Sequence, residues 1–402
     1  MKNWRSIFYL IGVQGANYLA PIAIMYILTK NSSIETYGKF AFWYAVLVYF
    51  QTIIDYGFNY TATREVSSIS RKDDFENLSE IFYYILFSKI LISAFVFSTI
   101  IISYFFLNFD LKLVVIVFLG AMLSSLVPNW FFQGIQRIGN ISLFNILGKM
   151  SFVFITFLFV SDYSLINIFI AYLISASIPL IYSSFLFKKL NFIKTGYLKN
   201  GLFFIKNGRN IFLANVLAVL LSNGGVISLG FFADDKVLGV YSFCERIVKS
   251  FLGLFSPLFT AFYPVFSRKF SFEFKGGVDF HKKFTIILLT VAFLFLLAAY
   301  FISGFFLAKN TNYNSSYFSI LMVWVLVSLM NNAFGIQFLC ASGNDRLYVR
   351  GMLSSFFVFL SFVGFNFFDD WGVQVAMTTL VSELCLFVFN VRYYFLIKIN
   401  SG

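Results

Sequence analysis

Charge is scarce in this sequence. Only 12% of its 402 residues are Asp, Glu, Lys or Arg, against about 25% in a soluble domain. With 59% hydrophobic residues and a mean hydropathy of +0.82, this composition excludes a soluble globular protein and predicts an integral membrane protein. Histidine is nearly absent: His281 stands alone. The three cysteines, Cys244, Cys340 and Cys385, are far apart, each in or beside an apolar run. They form no metal-binding spacing and no disulfide framework. No zinc or haem site is expected, and no cofactor. Nor does any loop between the apolar runs exceed about 25 residues, too few for a soluble domain. Membrane glycosyltransferases and polymerases need a sizeable soluble domain or external loop for their chemistry. The chain is therefore not expected to be an enzyme.

Apolar runs are abundant. A span needs roughly 20 apolar residues, and about twelve such stretches follow one another: 7–28, 40–60, 81–106, 112–132, 142–160, 164–187, 211–232, 238–266, 284–308, 318–339, 351–368 and 373–391. The first is long enough to span, and no cleavage site with a polar mature region follows it, so it is expected to stay as a membrane helix.

Orientation follows from Lys and Arg, which concentrate on the cytoplasmic side. With the N-terminus inside, the inner segments hold 21 of the 30 basic residues and the outer ones 5. Both termini are thus expected in the cytoplasm. The net charge of +12 becomes a topology signal that can rest on anionic lipid, and no nucleic acid is implied. The most basic inner segment, 188–210, has six cations and no acid. It falls at mid-chain and divides an N-terminal lobe (1–190) and a C-terminal lobe (211–402) of six helices each, with 191–210 as the linker. A short repeat supports the division: "YGKFAF" (37–42) enters the second span and "LGVYSF" (238–243) the eighth. Gly38 and Gly239 stand half a chain apart. Repeated halves with a site between them are a common transporter plan.

Four basic residues, Lys89, Lys149, Arg246 and Lys249, fall inside the spans. An intramembrane charge costs about 2.5–3.5 kcal/mol on insertion scales and marks a functional position. On a helix, Ser242, Glu245, Lys249, Gly253, Ser256, Thr260 and Ser267 share one face. Glu245 and Lys249 are i and i+4, in the favourable order for pairing. Arg246 lies one step off that face. Ser142, Asn145, Lys149 and Thr156 make a similar face in the fifth span, and Asn145 joins the polar network. Lys89 and Lys149 are near enough to a helix end either to snorkel to the headgroups or to line a cavity. Cations in a wet cavity imply an anionic substrate, with phosphate or carboxylate as the usual groups. Asp55 is a candidate titratable coupling site, since desolvation can raise a carboxyl's pKa. Pro21, Pro128, Gly224, Gly225 and Pro257 are candidate bending points, with Pro264 beyond them. Gln14 and Asn17 add polarity to the first span. In "VPNWFFQG" (127–134) the proline is followed by aromatics expected to form a belt at the inner interface.

Three stretches together, "YGKFAFWYAVLVYFQTIIDYGFNYTATREVS" (37–67), "LVPNWFFQGIQRI" (126–138) and "LGVYSFCERIVKSFLGLFSPLFTAFYPVFSR" (238–268), resemble the Wzx-type polysaccharide flippases. These belong to the superfamily that also contains the MATE multidrug exporters and the lipid II flippase. The resemblance implies an all-α, MATE-like fold with twelve helices in two lobes around a cavity open alternately to each side. It implies a substrate similar to an undecaprenyl-pyrophosphate-linked oligosaccharide unit, carried from the cytoplasmic to the periplasmic leaflet of a bacterial inner membrane, with coupling to protons or sodium. Other implied partners are membrane lipids and further polysaccharide-assembly proteins. A small-molecule exporter of the same fold is the alternative, though cation exporters favour acidic cavities. An O-unit polymerase is a weaker one, because its large periplasmic loop is missing.

Overall fold

The computed structural model describes residues 2–69, 75–106, 110–135, 137–186, 197–307, 313–365 and 367–400. Within them the chain is helical, with no strand. The contacts divide it into two compact units. The first comprises Met1–Thr36 and Phe42–Val219, the second Tyr37–Ala41 and Leu220–Gly402.

The first unit contains α1 (Lys2–Asn31), most of α2 (Ile34–Asp55), α3 (Phe58–Ser68), α4 (Phe75–Tyr104), α5 (Leu111–Leu126), α6 (Asn129–Gly134), α7 (Ile138–Phe159), α8 (Leu165–Leu186) and the first part of α9 (Tyr197–Phe232). Ser33 caps α2 by accepting from the Thr36 amide at 3.2 Å, and Asp110 caps α5 through the Leu113 amide. The second span was expected to continue to residue 60. Instead α2 stops at Asp55, because Tyr56 (φ 45°) and Gly57 (φ 77°) are both left-handed. Such residues end helices. The Tyr56 ring stacks on Phe212 at 4.3 Å. A Cβ on Gly57 would lie 2.8 Å from Ile211 Cγ2, so both the turn and the close approach of α9 demand glycine. Pro128 separates α5 from α6, with Val127 in an extended conformation, as the residue before a proline prefers. The aromatics of α6 do not form an interfacial belt. Trp130, Phe131 and Phe132 are buried against Phe58, Ala62 and Val66 of α3: the break at Pro128 turns α6 inward, where aromatic packing outweighs an interfacial position.

The second unit contains the rest of α9, α10 (Asp235–Leu254), α11 (Ser256–Phe272), α12 (Phe274–Leu307), α13 (Ser315–Asn331), a π-helical segment (Asn332–Cys340), α14 (Asp345–Gly364) and α15 (Trp371–Asn400). Asn314 caps α13 by accepting from the Ser316 and Tyr317 amides. The basic linker was expected at 191–210. Residues 191–196 lie outside the described residues, and 197–210 form the first turns of α9.

Among the described residues nine helices are long and apolar enough to cross a membrane. A tenth is the bent pair Asp235–Phe259 and Ala261–Phe270, whose axes differ by 47°. The other two of the twelve expected spans are α1 and α2. The side chains of residues 1–14 are not described, and α2 carries Lys39, Gln51 and Asp55 along its length. In hydrocarbon every backbone polar group must be paired internally, and helices achieve this. Hydroxyls on the outward faces bond back to their own helix, as Ser98 does to Ala94 O at 2.9 Å and Thr290 to Ile286 O at 2.9 Å. Large apolar side chains such as Phe95, Ile287 and Phe301 are exposed on the same helices, as lipid-facing surfaces require.

Candidate functional site: cations held inside the helices

The polar face read over 242–267 does not run along a single helix. α10 ends at Leu254, Phe255 lies in the turn, and α11 starts at Ser256 with Pro257 in its first turn. Pro264 has no amide for the Thr260 carbonyl, which accounts for a bend at that point. What remains on α10 is compact. The Lys249 ammonium donates to the Ser222 carbonyl of α9 at 2.6 Å and pairs with Glu245 Oε1 at 3.1 Å. Its side chain is 21% exposed and that of Glu245 only 10%. The pair is therefore intact, and the Lys249 side chain is not fully enclosed.

Arg246 meets a partner from another part of the chain. Its guanidinium hydrogen-bonds the Tyr37 hydroxyl, and that hydroxyl also faces the Ser242 carbonyl at 3.4 Å. Tyr37 opens the "YGKFAF" stretch, so the two repeat-like segments pack together. A Cβ on Gly38 would stand 2.6 Å from the Gly239 amide nitrogen and 2.9 Å from the Asp235 carbonyl. Beside them Lys39 pairs with Asp235 at 2.8 Å, with both side chains 48% exposed.

In the first unit, Lys89 and Asp55 were expected as separate groups, one a cavity or snorkelling cation and the other a coupling acid. The structure pairs them at 2.7 Å. Lys89 is 2% exposed and also donates to the Ser125 carbonyl at 2.5 Å. It neither snorkels nor faces water; two acceptors on neighbouring helices offset its desolvation. Lys149 is half-buried and donates to the Asn17 side chain of α1, so the polarity of the first span serves the cation of the fifth. Asn145, placed in the same network, instead donates to Ile141 O of its own helix at 2.9 Å. The side chain of Gln14 lies outside those described.

The candidate bending points differ in what they do. Pro21 lies within a continuous α1, whereas Pro128 breaks its helix. α9 runs without interruption through Gly224 and Gly225. A Cβ on Gly224 would come within 2.8 Å of the Phe359 ring, and one on Gly225 within 2.6 Å of the Tyr241 hydroxyl. These glycines make room for rings and do not bend the helix.

A further polar group centres on Glu383 of α15. Asn331 donates to Glu383 Oε1 at 3.1 Å and to its carbonyl at 2.8 Å. Ser328 and Trp324 also hydrogen-bond that carboxyl, and Asn390 donates to Asn331 Oδ1 at 3.1 Å. The adjacent asparagines in "LMNNAFG" were the available signal. Among the described residues no group of His, Cys, Asp and Glu could hold a metal ion.

A helical bundle with this many apolar spans and cations inside them is a multi-pass membrane protein. Its fold is that of the MATE-like transporters. A multidrug resistance MATE family transporter of the MOP superfamily, in an inward-facing conformation, superposes with a TM-score of 0.64 at 12% identity, over 99% of this chain and 100% of that one. The lipid II flippase MurJ, in an inward closed conformation, superposes with a TM-score of 0.65 at 16% identity, over 96% and 87%. Over residues 3–270 the sequence matches the family described as "Polysaccharide biosynthesis protein", and the chain belongs to that family. A relative named "Putative O-antigen transporter" from Escherichia coli (strain K12) is 27% identical over 410 residues, covering 95% of this chain and 94% of that protein.

Proposed function

We propose that this protein is a flippase. It moves an undecaprenyl-pyrophosphate-linked oligosaccharide unit, of the O-antigen or capsule kind, from the cytoplasmic to the periplasmic leaflet of a bacterial inner membrane. Both termini face the cytoplasm, as the distribution of Lys and Arg favours. Family membership and the name of the relative support the substrate class. The observation that carries the reading is Lys249: a cation inside a membrane-length helix pair, held by Glu245 and the Ser222 carbonyl yet still 21% exposed. A diphosphate entering hydrocarbon needs fixed cations that the protein has already desolvated and oriented. Arg246, three residues before Lys249 on α10, offers a planar fork for phosphate oxygens, and Tyr37 orients it. The cations become accessible from each side in turn, and an ion gradient drives the cycle.

The test is deletion of the gene with complementation, scoring surface polysaccharide and accumulated lipid-linked unit. Loss of the first with build-up of the second is expected, and Lys249→Ala and Arg246→Ala should fail to complement while remaining in the membrane. Wild-type polysaccharide from both variants overturns the cationic site; absence of any lipid-linked intermediate in the deletion strain overturns the substrate class.

A further inference from the structure

Between the C-terminal turns of α11 and the first turn of α12 lies a notch of about 480 Å³, lined among others by Val265, Arg268, Lys269 and Phe272. Phe272 is 82% exposed and Val265 40%. The Arg268 guanidinium lies over the Phe272 ring, 5.7 Å from its centroid, and the Lys269 ammonium over the Phe280 ring at 4.7 Å. Such contacts fix the position of a cation without neutralising it. Among the described residues neither makes an ion pair. The one acid present, Glu273, is folded back on α12: a Cβ on Gly276 would be 2.8 Å from its carboxyl carbon. It lies against the helix N-terminus, where negative charge is favoured. α12 continues from this point as the membrane-length helix Phe274–Ser303.

Two unpaired cations and an exposed phenyl ring thus share a notch at the end of a span. A free anion gains nothing from an exposed ring, whereas an amphiphile with an anionic head gains from both. We propose that this notch binds the headgroup of an anionic phospholipid. Arg268 forks onto phosphate oxygens, Lys269 supplies a second charge, and Phe272 and Val265 meet the start of the acyl chains. The site is separate from Lys249 and Arg246 and does not depend on the flippase reading.

The test is calorimetric titration of the full-length protein in neutral detergent with dioctanoyl-phosphatidylglycerol, dioctanoyl-phosphatidylcholine and inorganic phosphate. Phosphatidylglycerol should bind at least tenfold more tightly than phosphatidylcholine. Each basic residue near an anionic headgroup is worth about fivefold, so Arg268→Ala with Lys269→Ala should weaken phosphatidylglycerol about 25-fold at unchanged melting temperature. Glu273→Gln should strengthen it severalfold, which guards against a misfolded double variant. Phe272→Ser should weaken the lipid. Unchanged phosphatidylglycerol affinity in both the double variant and Glu273→Gln overturns the proposal. So does equal binding of phosphatidylcholine, or inorganic phosphate that binds as tightly as the lipid and displaces it.

Discussion

Gly38 and Gly239 stand back to back where α2 meets α10, with no room for a single methyl group between them. The two short stretches whose likeness suggested an internal repeat are therefore packing partners. The contact sets the neighbourhood of the candidate site: one residue before Gly38 is Tyr37, which reaches Arg246, and one residue after it is Lys39, which reaches Asp235.

The obstacle at Gly38 is backbone, the Gly239 amide and the Asp235 carbonyl, and not a flexible side-chain tip. Overpacking of this kind costs about 1–3 kcal/mol. Gly38→Ala should lower the apparent melting temperature of the purified protein by several degrees, and Gly38→Leu should prevent its accumulation. Gly15→Ala is the control, because nothing lies within 4 Å of a Cβ there. Equal melting temperatures for Gly38→Ala and Gly15→Ala would show that the helices can separate without penalty.

The Lys89–Asp55 pair should behave as a structural ion pair. Removing one partner of a buried pair costs about 3–5 kcal/mol. Asp55 retains 28% side-chain exposure, which places Asp55→Asn toward or below the lower end of that range. Lys89→Met with Asp55→Leu should recover much of the loss, since no lone charge remains. A double-mutant cycle on melting temperature in detergent measures the coupling. If the double variant is as unstable as the sum of the singles, the two side chains do not act on each other.

Hydropathy made ten of the twelve expected spans legible, because runs of Phe, Leu and Ile leave few alternatives. It did not show where helices break. Tyr56 in a left-handed conformation carries no local signal beyond the glycine that follows it, and the stop at Asp55 depends on α9 packing against the turn. Pairings between helices were hidden for a similar reason. Helical periodicity relates Glu245 to Lys249, four residues apart, but is silent on Lys89 and Asp55, on Lys149 and Asn17, or on Arg246 and Tyr37. Gly224 and Gly225 show the converse limit. Glycine in a helix suits a bend and a tight contact equally well, and here the rings of Phe359 and Tyr241 account for it.

Arg246 is tied to Tyr37, so Tyr37→Phe should loosen the guanidinium without removing it. Complementation is expected to fall about tenfold for Tyr37→Phe, in keeping with a lost hydrogen bond to a charged group at the weaker end of its range, about 1.5 kcal/mol. Arg246→Ala should abolish it. Arg246→Lys keeps the charge but loses the planar fork and should fall in between. Surface polysaccharide normalised to membrane protein level is the readout. If all three variants lose polysaccharide only in proportion to protein level, Arg246 is a packing residue.

Lys249 has two candidate roles, partner of Glu245 and binder of substrate phosphate, and a pair of variants separates them. Lys249→Ala alone strands a carboxylate that is only 10% exposed, so both stability and transport should suffer. Adding Glu245→Ala removes the stranded charge and should restore most of the melting temperature. Transport should stay lost under the proposed phosphate-binding role of Lys249. Lys249→Arg keeps charge and reach and should retain partial complementation. The decisive measurement is surface polysaccharide in the double variant at wild-type protein level: recovery there would reduce Lys249 to a helix-pairing residue.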